Sequence, residues 1–222
     1  MLEIGVGTGR IAYPVALAGC QVTGFDVSAE MLAQTRASQP SGLSERLRLV
    51  RADMQAMPFA ARQFDAALAV HVLHLSKDLP TVLAEIARLL RPGAAFIQGD
   101  DWIDPESVVG KLRNQLRSLA VQHSPNLMPP SAGRPMAERL AELGATEQHE
   151  IQVAEWTLHV SPAERLQQVE QRLDAESWFL PPDLFEKLVG ALRAFAQATW
   201  SDLETPQPVT RRFILKVSRG SW

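Results

Sequence analysis

Seven residues close to the start of the chain, Glu3-Ile4-Gly5-Val6-Gly7-Thr8-Gly9, restrict the possible folds more than any other segment. Met1 to Ile4 reads as a strand, and a helical pattern runs from about Arg10 to Ala18, where Gly19 closes it. Between them lie three glycines in five residues, a spacing that lets the chain reverse tightly and lets backbone come close to a ligand. Helix N–H groups then point outward toward whatever sits above the turn. The bland alternative is a purely structural turn.

The segments that follow keep the same alternation of short apolar runs and helical patterns, which predicts parallel strands with helical crossovers. Strands are expected at Gln21 to Phe25, Leu47 to Val50, Phe64 to Val70 and Ala94 to Gln98. The fourth is apolar almost throughout, as a strand covered on both faces should be. Ser28 can cap a helix carrying Met31, Leu32 and Thr35. Leu79, Val82, Leu83, Ile86, Leu89 and Leu90 repeat at helical spacing until Arg91-Pro92-Gly93 stops them.

Beyond Asp100 the rhythm changes. A helical face through Val108, Val109, Leu112, Leu116 and Leu119 precedes a Pro-rich loop at Pro125 to Ser131. A helix from about Pro135 to Leu143 ends at Gly144, and a strand is expected from Thr146 to Leu158. Ser161-Pro162-Ala163-Glu164 has the pattern of a capping box, a further helix follows Pro181-Pro182, and Val209 to Val217 forms the last strand.

At 222 residues the chain suits one α/β domain with an added cap. We divide it into a core at 1–100, substrate-side helices and a sixth strand at 101–205, and a closing strand at 206–222. Its net charge of −3 and singly scattered arginines provide no basic stripe, so no nucleic-acid partner is expected and a small-molecule substrate is favoured. A single cysteine, Cys20, can form neither an internal disulfide nor a zinc site, and the histidines show no ligand spacing, so no metal is expected. Without a run of apolar residues long enough to span a bilayer and without a signal-like start, a cytoplasmic location is expected.

Asp26 ends the second strand, where an acidic side chain can accept from both hydroxyls of a ribose; the alternative is a carboxylate serving only the following helix N-terminus. A dinucleotide fold shares these features, but its third glycine is replaced here by Arg10. Glu3, just before the turn, suits a ligand carrying an ammonium and a sulfonium better than one carrying a pyrophosphate.

Leu2-Glu3-Ile4-Gly5-Val6-Gly7-Thr8-Gly9-Arg10 resembles motif I of the class I S-adenosylmethionine-dependent methyltransferases, and Gly24-Phe25-Asp26-Val27-Ser28 with Met31-Leu32 resembles their ribose motif. Ala52-Asp53-Met54, Met57-Pro58-Phe59, Phe64-Asp65 to Leu75, and Leu89-Leu90-Arg91-Pro92-Gly93 resemble the later motifs in order. The likeness covers about residues 1–100 and is greatest to small-molecule enzymes of the ubiquinone and menaquinone type. It implies a doubly wound, Rossmann-like α/β fold: a seven-stranded sheet of order 3-2-1-4-5-7-6, last strand antiparallel, with a helical cap insertion.

The same resemblance implies S-adenosyl-L-methionine as cofactor. Glu3, Gly5 and Gly7 would line its methionine part, and Asp26 would hold its ribose beside Val27. Asp53 would accept from the adenine amino group, while Met31 and Met54 would pack the ring. Val70 would close the site from the fourth-strand motif, and His71 would lie near the transferred methyl. For both methionines the alternative is an ordinary core methionine. Members of the group carry a few dozen residues ahead of motif I that cover the cofactor, so a truncation, an altered start or a sequence whose beginning is not included is expected here, with the activity of the chain as given left open.

Methyl transfer from a sulfonium is an in-line displacement that asks the protein chiefly to align donor and acceptor and to exclude water. His71 is the candidate base for a hydroxyl or acidic carbon, with pocket wall as its other role; His74 is expected to pack or cap. Asp100, Asp101 and Trp102 follow the fifth strand and can touch substrate. Trp156, Trp178, Phe179 and Trp200 are candidates for pocket or for cap core. The rival functions are a catalytically silent adenosylmethionine-binding module and an NAD-dependent oxidoreductase; acceptor and oligomeric state stay open.

Overall fold

In the computed structural model residues 1–76, 78–123, 136–173, 175–178 and 180–222 are described. The expected loop at Pro125 to Ser131, the helix start at Pro135 and Phe179 lie outside them. Seven strands, β1 (Leu2–Ile4), β2 (Val22–Asp26), β3 (Leu47–Arg51), β4 (Phe64–Val70), β5 (Leu90–Ile103), β6 (Ala145–Val160) and β7 (Gln207–Gly220), form one sheet. Its order is β3-β2-β1-β4-β5-β7-β6. The first five are parallel to one another. β7 runs the other way: Asp104 N–H, just past β5, donates to Thr210 early in β7 at 3.1 Å, and Arg219 late in β7 donates to Gly93 O at 3.2 Å.

The helices are α1 (Ala12–Leu17), α2 (Ala29–Ala37), α3 (Leu79–Leu89), α4 (Val108–His123), α5 (Met136–Glu142), α6 (Pro162–Glu170), α7 (Ala175–Trp178) and α8 (Pro182–Thr199). Their starts follow the chemistry of the chain. Ser28 Oγ accepts from Met31 N–H at 3.2 Å, Asp78 Oδ1 from Thr81 N–H at 3.2 Å, and Ser161 Oγ from Glu164 N–H at 3.0 Å, each satisfying a donor the helix cannot.

Among the described residues the chain forms two compact units, one of Met1–Asp100, 136–151 and Leu215–Trp222, the other of 101–123 and Gln152–Ile214. In the first, Leu2 and Ile4 of β1, Phe25 of β2, Phe96 of β5 and Val82, Leu83, Ile86 and Leu89 of α3 are sealed from solvent in one cluster. Each such side chain contributes roughly 1.5–3 kcal/mol by leaving water. In the second, α4, α6 and α8 bury Leu112, Leu116, Val169, Leu188 and Leu192 against one another.

Arg91-Pro92-Gly93 does not simply end a helix before a short strand. The fifth strand begins at Leu90, and its pairing with β4 jumps from Phe64↔Leu90 to Ala66↔Ala95. The intervening residues form a bulge in which Gly93 takes φ +80°, fixed from below as Arg91 pairs with Asp65 and donates to Arg62 O at 3.2 Å. Along the sequence alone, Pro and Gly mark a stop; the ladder resumes because the segment on either side pairs with β4. The strand then continues to Ile103, so Asp100, Asp101 and Trp102 lie within it rather than after it.

Candidate functional site

Register alone assembles one edge of the sheet. Ile4 pairs with both Phe25 and Ala69, and Asp26 pairs with Arg51, so Gly5, Asp26, Ala52 and Val70 stand at neighbouring heights where four parallel strands end. Open α/β sheets bind ligands at such carboxyl ends.

The Gly-rich turn is held there by side chains from β2 and α2. Gly7 N–H donates to Asp26 Oδ2 at 3.0 Å, and Ser28 N–H donates to Oδ1 of the same carboxylate at 2.9 Å. Thr35, fully buried on α2, donates from Oγ1 to Gly7 O at 2.5 Å, and Tyr13 OH donates to Thr35 O at 2.5 Å. Asp26 thus organises both the turn and the helix start, and each of its oxygens keeps a second acceptor position. Gly5 and Gly7 both have positive φ, +67° and +53°, but for different ends. A Cβ on Gly5 would lie 2.4 Å from Val72, whereas one on Gly7 would meet nothing nearer than a backbone oxygen at 4.0 Å. Gly7 presents bare backbone to open space.

Glu3 is a buried carboxyl beneath this turn, 4% exposed. Burial pushes its pKa up to about 8, with the charge of Arg10 opposing only in part. An acid held neutral by burial ionises when a cation arrives beside it.

The other expected residues divide. Val27, 62% exposed, and Met31, 41% exposed, stand at the same edge as Asp26, so Met31 is not a core methionine. Asp53 is exposed, and its Oδ1 accepts from Gln55 N–H at 2.8 Å. Met54 packs against the main core cluster, and Val70 is half-buried at the end of β4. His71 takes φ +51° and donates its backbone N–H to Gly99 O at 3.2 Å, which fixes it beside β5. A non-glycine residue in this region is strained and is retained where the surroundings impose it. Asp100, on β5, has its pKa raised by burial; the Gln98 amide that donates to it and the charges of His71, His74 and Lys216 pull the other way.

Thr35, Tyr13 and the acid character of Asp100 are not legible in the sequence. Thr35 occupies one more apolar-face position of α2; the available signal is a hydroxyl one helical turn past Met31, where it also donates to Met31 O at 2.8 Å. Asp101 and Trp102 are drawn into other contacts: Asp101 pairs with Arg211, and Arg212 lies 4.5 Å over the Trp102 ring. Trp200 packs edge-on against Phe195 in the helical core, while Trp178 is 55% exposed with its indole N–H donating to Arg172 O at 2.7 Å. Among the described residues no three His, Cys, Asp or Glu side chains are grouped to hold a metal ion, and no helix is long and apolar enough to cross a membrane.

Residues 2–98 match the family model described as a methyltransferase domain. The chain is 37% identical over 102 residues to the sterol 4-C-methyltransferase strm-1 of Caenorhabditis elegans, an overlap of 45% of this chain and 30% of that protein. It is 32% identical over 147 residues to the O-methyltransferase resE of Aspergillus sclerotiorum, covering 65% and 53%. The chain thus spans from under a third to about half of these relatives. Among solved structures, a putative methyltransferase of Bacillus halodurans superposes with TM-score 0.64 at 16% identity, covering 98% of this chain and 90% of that one. A Haemonchus contortus phosphoethanolamine N-methyltransferase in complex with S-adenosyl-L-methionine gives 0.56 at 19%, covering 100% and 48%. These two likenesses concern the fold.

Proposed function

We propose, from the match of residues 2–98 to a methyltransferase domain, that this chain transfers a methyl group from S-adenosyl-L-methionine to a small-molecule acceptor by in-line displacement. The observation that carries the reading is the pairing of an open, bare-backbone Gly7 with Asp26 in front of it and a neutral, buried Glu3 beneath. That combination fits an adenosine ligand with a cationic amino-acid tail and fits a pyrophosphate poorly.

In this reading Asp26, oriented by the Gly7 and Ser28 N–H groups, uses its remaining acceptor positions for the two ribose hydroxyls. Glu3 gives up its proton and pairs with an ammonium, and Gly5 and Gly7 let backbone close on the chain between. Asp53 accepts from an exocyclic amine, with Met31, Met54, Val27 and Val70 packing the ring system. The cofactor supplies a methyl already activated on sulfonium sulfur, so the protein needs no nucleophile of its own. His71 takes the acceptor's proton, and the negative charge of Asp100 favours the imidazolium that forms. Residues 1–100 then serve the cofactor, and 101–205 select the acceptor.

Incubating the chain with methyl-labelled S-adenosylmethionine and a panel of hydroxyl, amine and acidic-carbon acceptors tests the function. Label in at least one small molecule is expected. Cofactor binding without transfer to any of them would instead favour the silent binding module.

A further inference from the structure

The helical unit gathers arginines from α4, α6 and β7. On α4, Arg113 and Arg117 lie one turn apart, at the margin of the sealed Leu112 and Leu116 stripe. Arg165, on α6, is only 6% exposed, an unusual depth for an arginine. Arg211 comes from β7, its guanidinium 5.7 Å over the Trp156 ring. Two carboxylates pair within the group: Glu176 meets Arg117 at 2.6 Å, and Asp101 meets Arg211.

Arg113 is the residue left over. Its Nε is buried without a hydrogen-bond partner among the described residues, and so is that of Arg211. Burial lowers the Arg113 pKa, the like charges of Arg117, Arg165 and Arg211 lower it further, and Glu176, already engaged with Arg117, offsets only part. A guanidinium that is desolvated, repelled and short of acceptors destabilises the unit by itself. Its planar fork is suited to a bidentate oxyanion.

We propose that Arg113, together with Arg117, Arg165 and Arg211, forms a binding site in the helical unit for the carboxylate or phosphate group of an anionic ligand. The anion site does not depend on the function proposed above.

The test uses the full chain and thermal unfolding, with inorganic phosphate and benzoate as probes and sodium chloride holding ionic strength constant. The midpoint should rise with at least one probe relative to chloride; the stronger probe tells a phosphate ligand from a carboxylate. Arg113→Gln should need about tenfold more of that probe for the same rise, the loss expected for one charged hydrogen-bonding partner. Without probe, the same variant should melt no lower than the wild type, because a repelled charge is gone. Arg113→Lys keeps the charge without the fork and should fall between them. Arg193→Gln removes a surface arginine that pairs with Glu170 in the same unit, and should respond like the wild type. No rise beyond chloride with either probe, or an equal rise in Arg113→Gln, would overturn the proposal. Because the readout is unfolding, it stands or falls separately from methyl transfer.

Discussion

Gly5 has no room for a side chain. With φ +67° and Val72 Cγ2 2.4 Å from where a Cβ would sit, Gly5→Ala combines a left-handed backbone with an overlap in the main core. A loss of about 2–4 kcal/mol is expected in urea unfolding, from backbone strain and overpacking together. Asp26 is more demanding to interpret, because its carboxylate accepts two backbone N–H groups as well as facing the candidate site. Asp26→Ala should weaken binding of S-adenosylhomocysteine by roughly 1–3 kcal/mol and should also lower stability, since both donors lose their acceptor. Unchanged affinity in a folded variant would remove Asp26 from the site. Glu3 makes a prediction in pH. Its folded pKa of about 8 lies above the ordinary 4.5, so between those values the folded chain holds a proton that the unfolded chain releases. Stability should therefore fall as pH rises from 4.5 to 8, by up to about 1.4 kcal/mol per unit. Urea titrations across this range should show the slope in the wild type and a flatter line in Glu3→Gln; identical slopes would mean that Glu3 is not the buried acid.

At the scale of elements, what could be read from the sequence follows from which interactions are local. The helix face of α3 repeats at the helical period and is buried as the spacing requires, with Ile86 sealed from solvent. Ile86→Ala should cost about 2–5 kcal/mol by urea denaturation, the range for a large cavity in a packed core. Ser28 and Ser161 act as caps because the signal and its partner lie three residues apart. The bulge at Arg91-Pro92-Gly93 is illegible for the opposite reason: its meaning depends on β4, 26 residues earlier, and on the Asp65 that pairs with Arg91. Thr35 is hidden likewise, since its hydroxyl serves a carbonyl in a turn 28 residues away. The place of Asp26 at the end of β2 and at the start of α2 is legible because strand end and cap stand in one line of sequence.

For the whole molecule, strand order and direction follow from the resemblance of the first hundred or so residues, and the sheet has that order. The segment 101–205 carries no recognised motif, and the arginine group cannot be seen in the sequence: Arg113, Arg117, Arg165 and Arg211 look like scattered surface charge until folding brings them into one unit. Net charge and the absence of a basic stripe describe solution behaviour and say little about a local excess of charge of this kind. The central claim, that the edge formed by Glu3, Gly7 and Asp26 takes S-adenosylmethionine, is tested most directly by calorimetric titration of the purified chain with S-adenosylmethionine, S-adenosylhomocysteine and NADH. Micromolar binding of the first two and none of NADH is the expected result. Binding of NADH with no response to S-adenosylhomocysteine would contradict it.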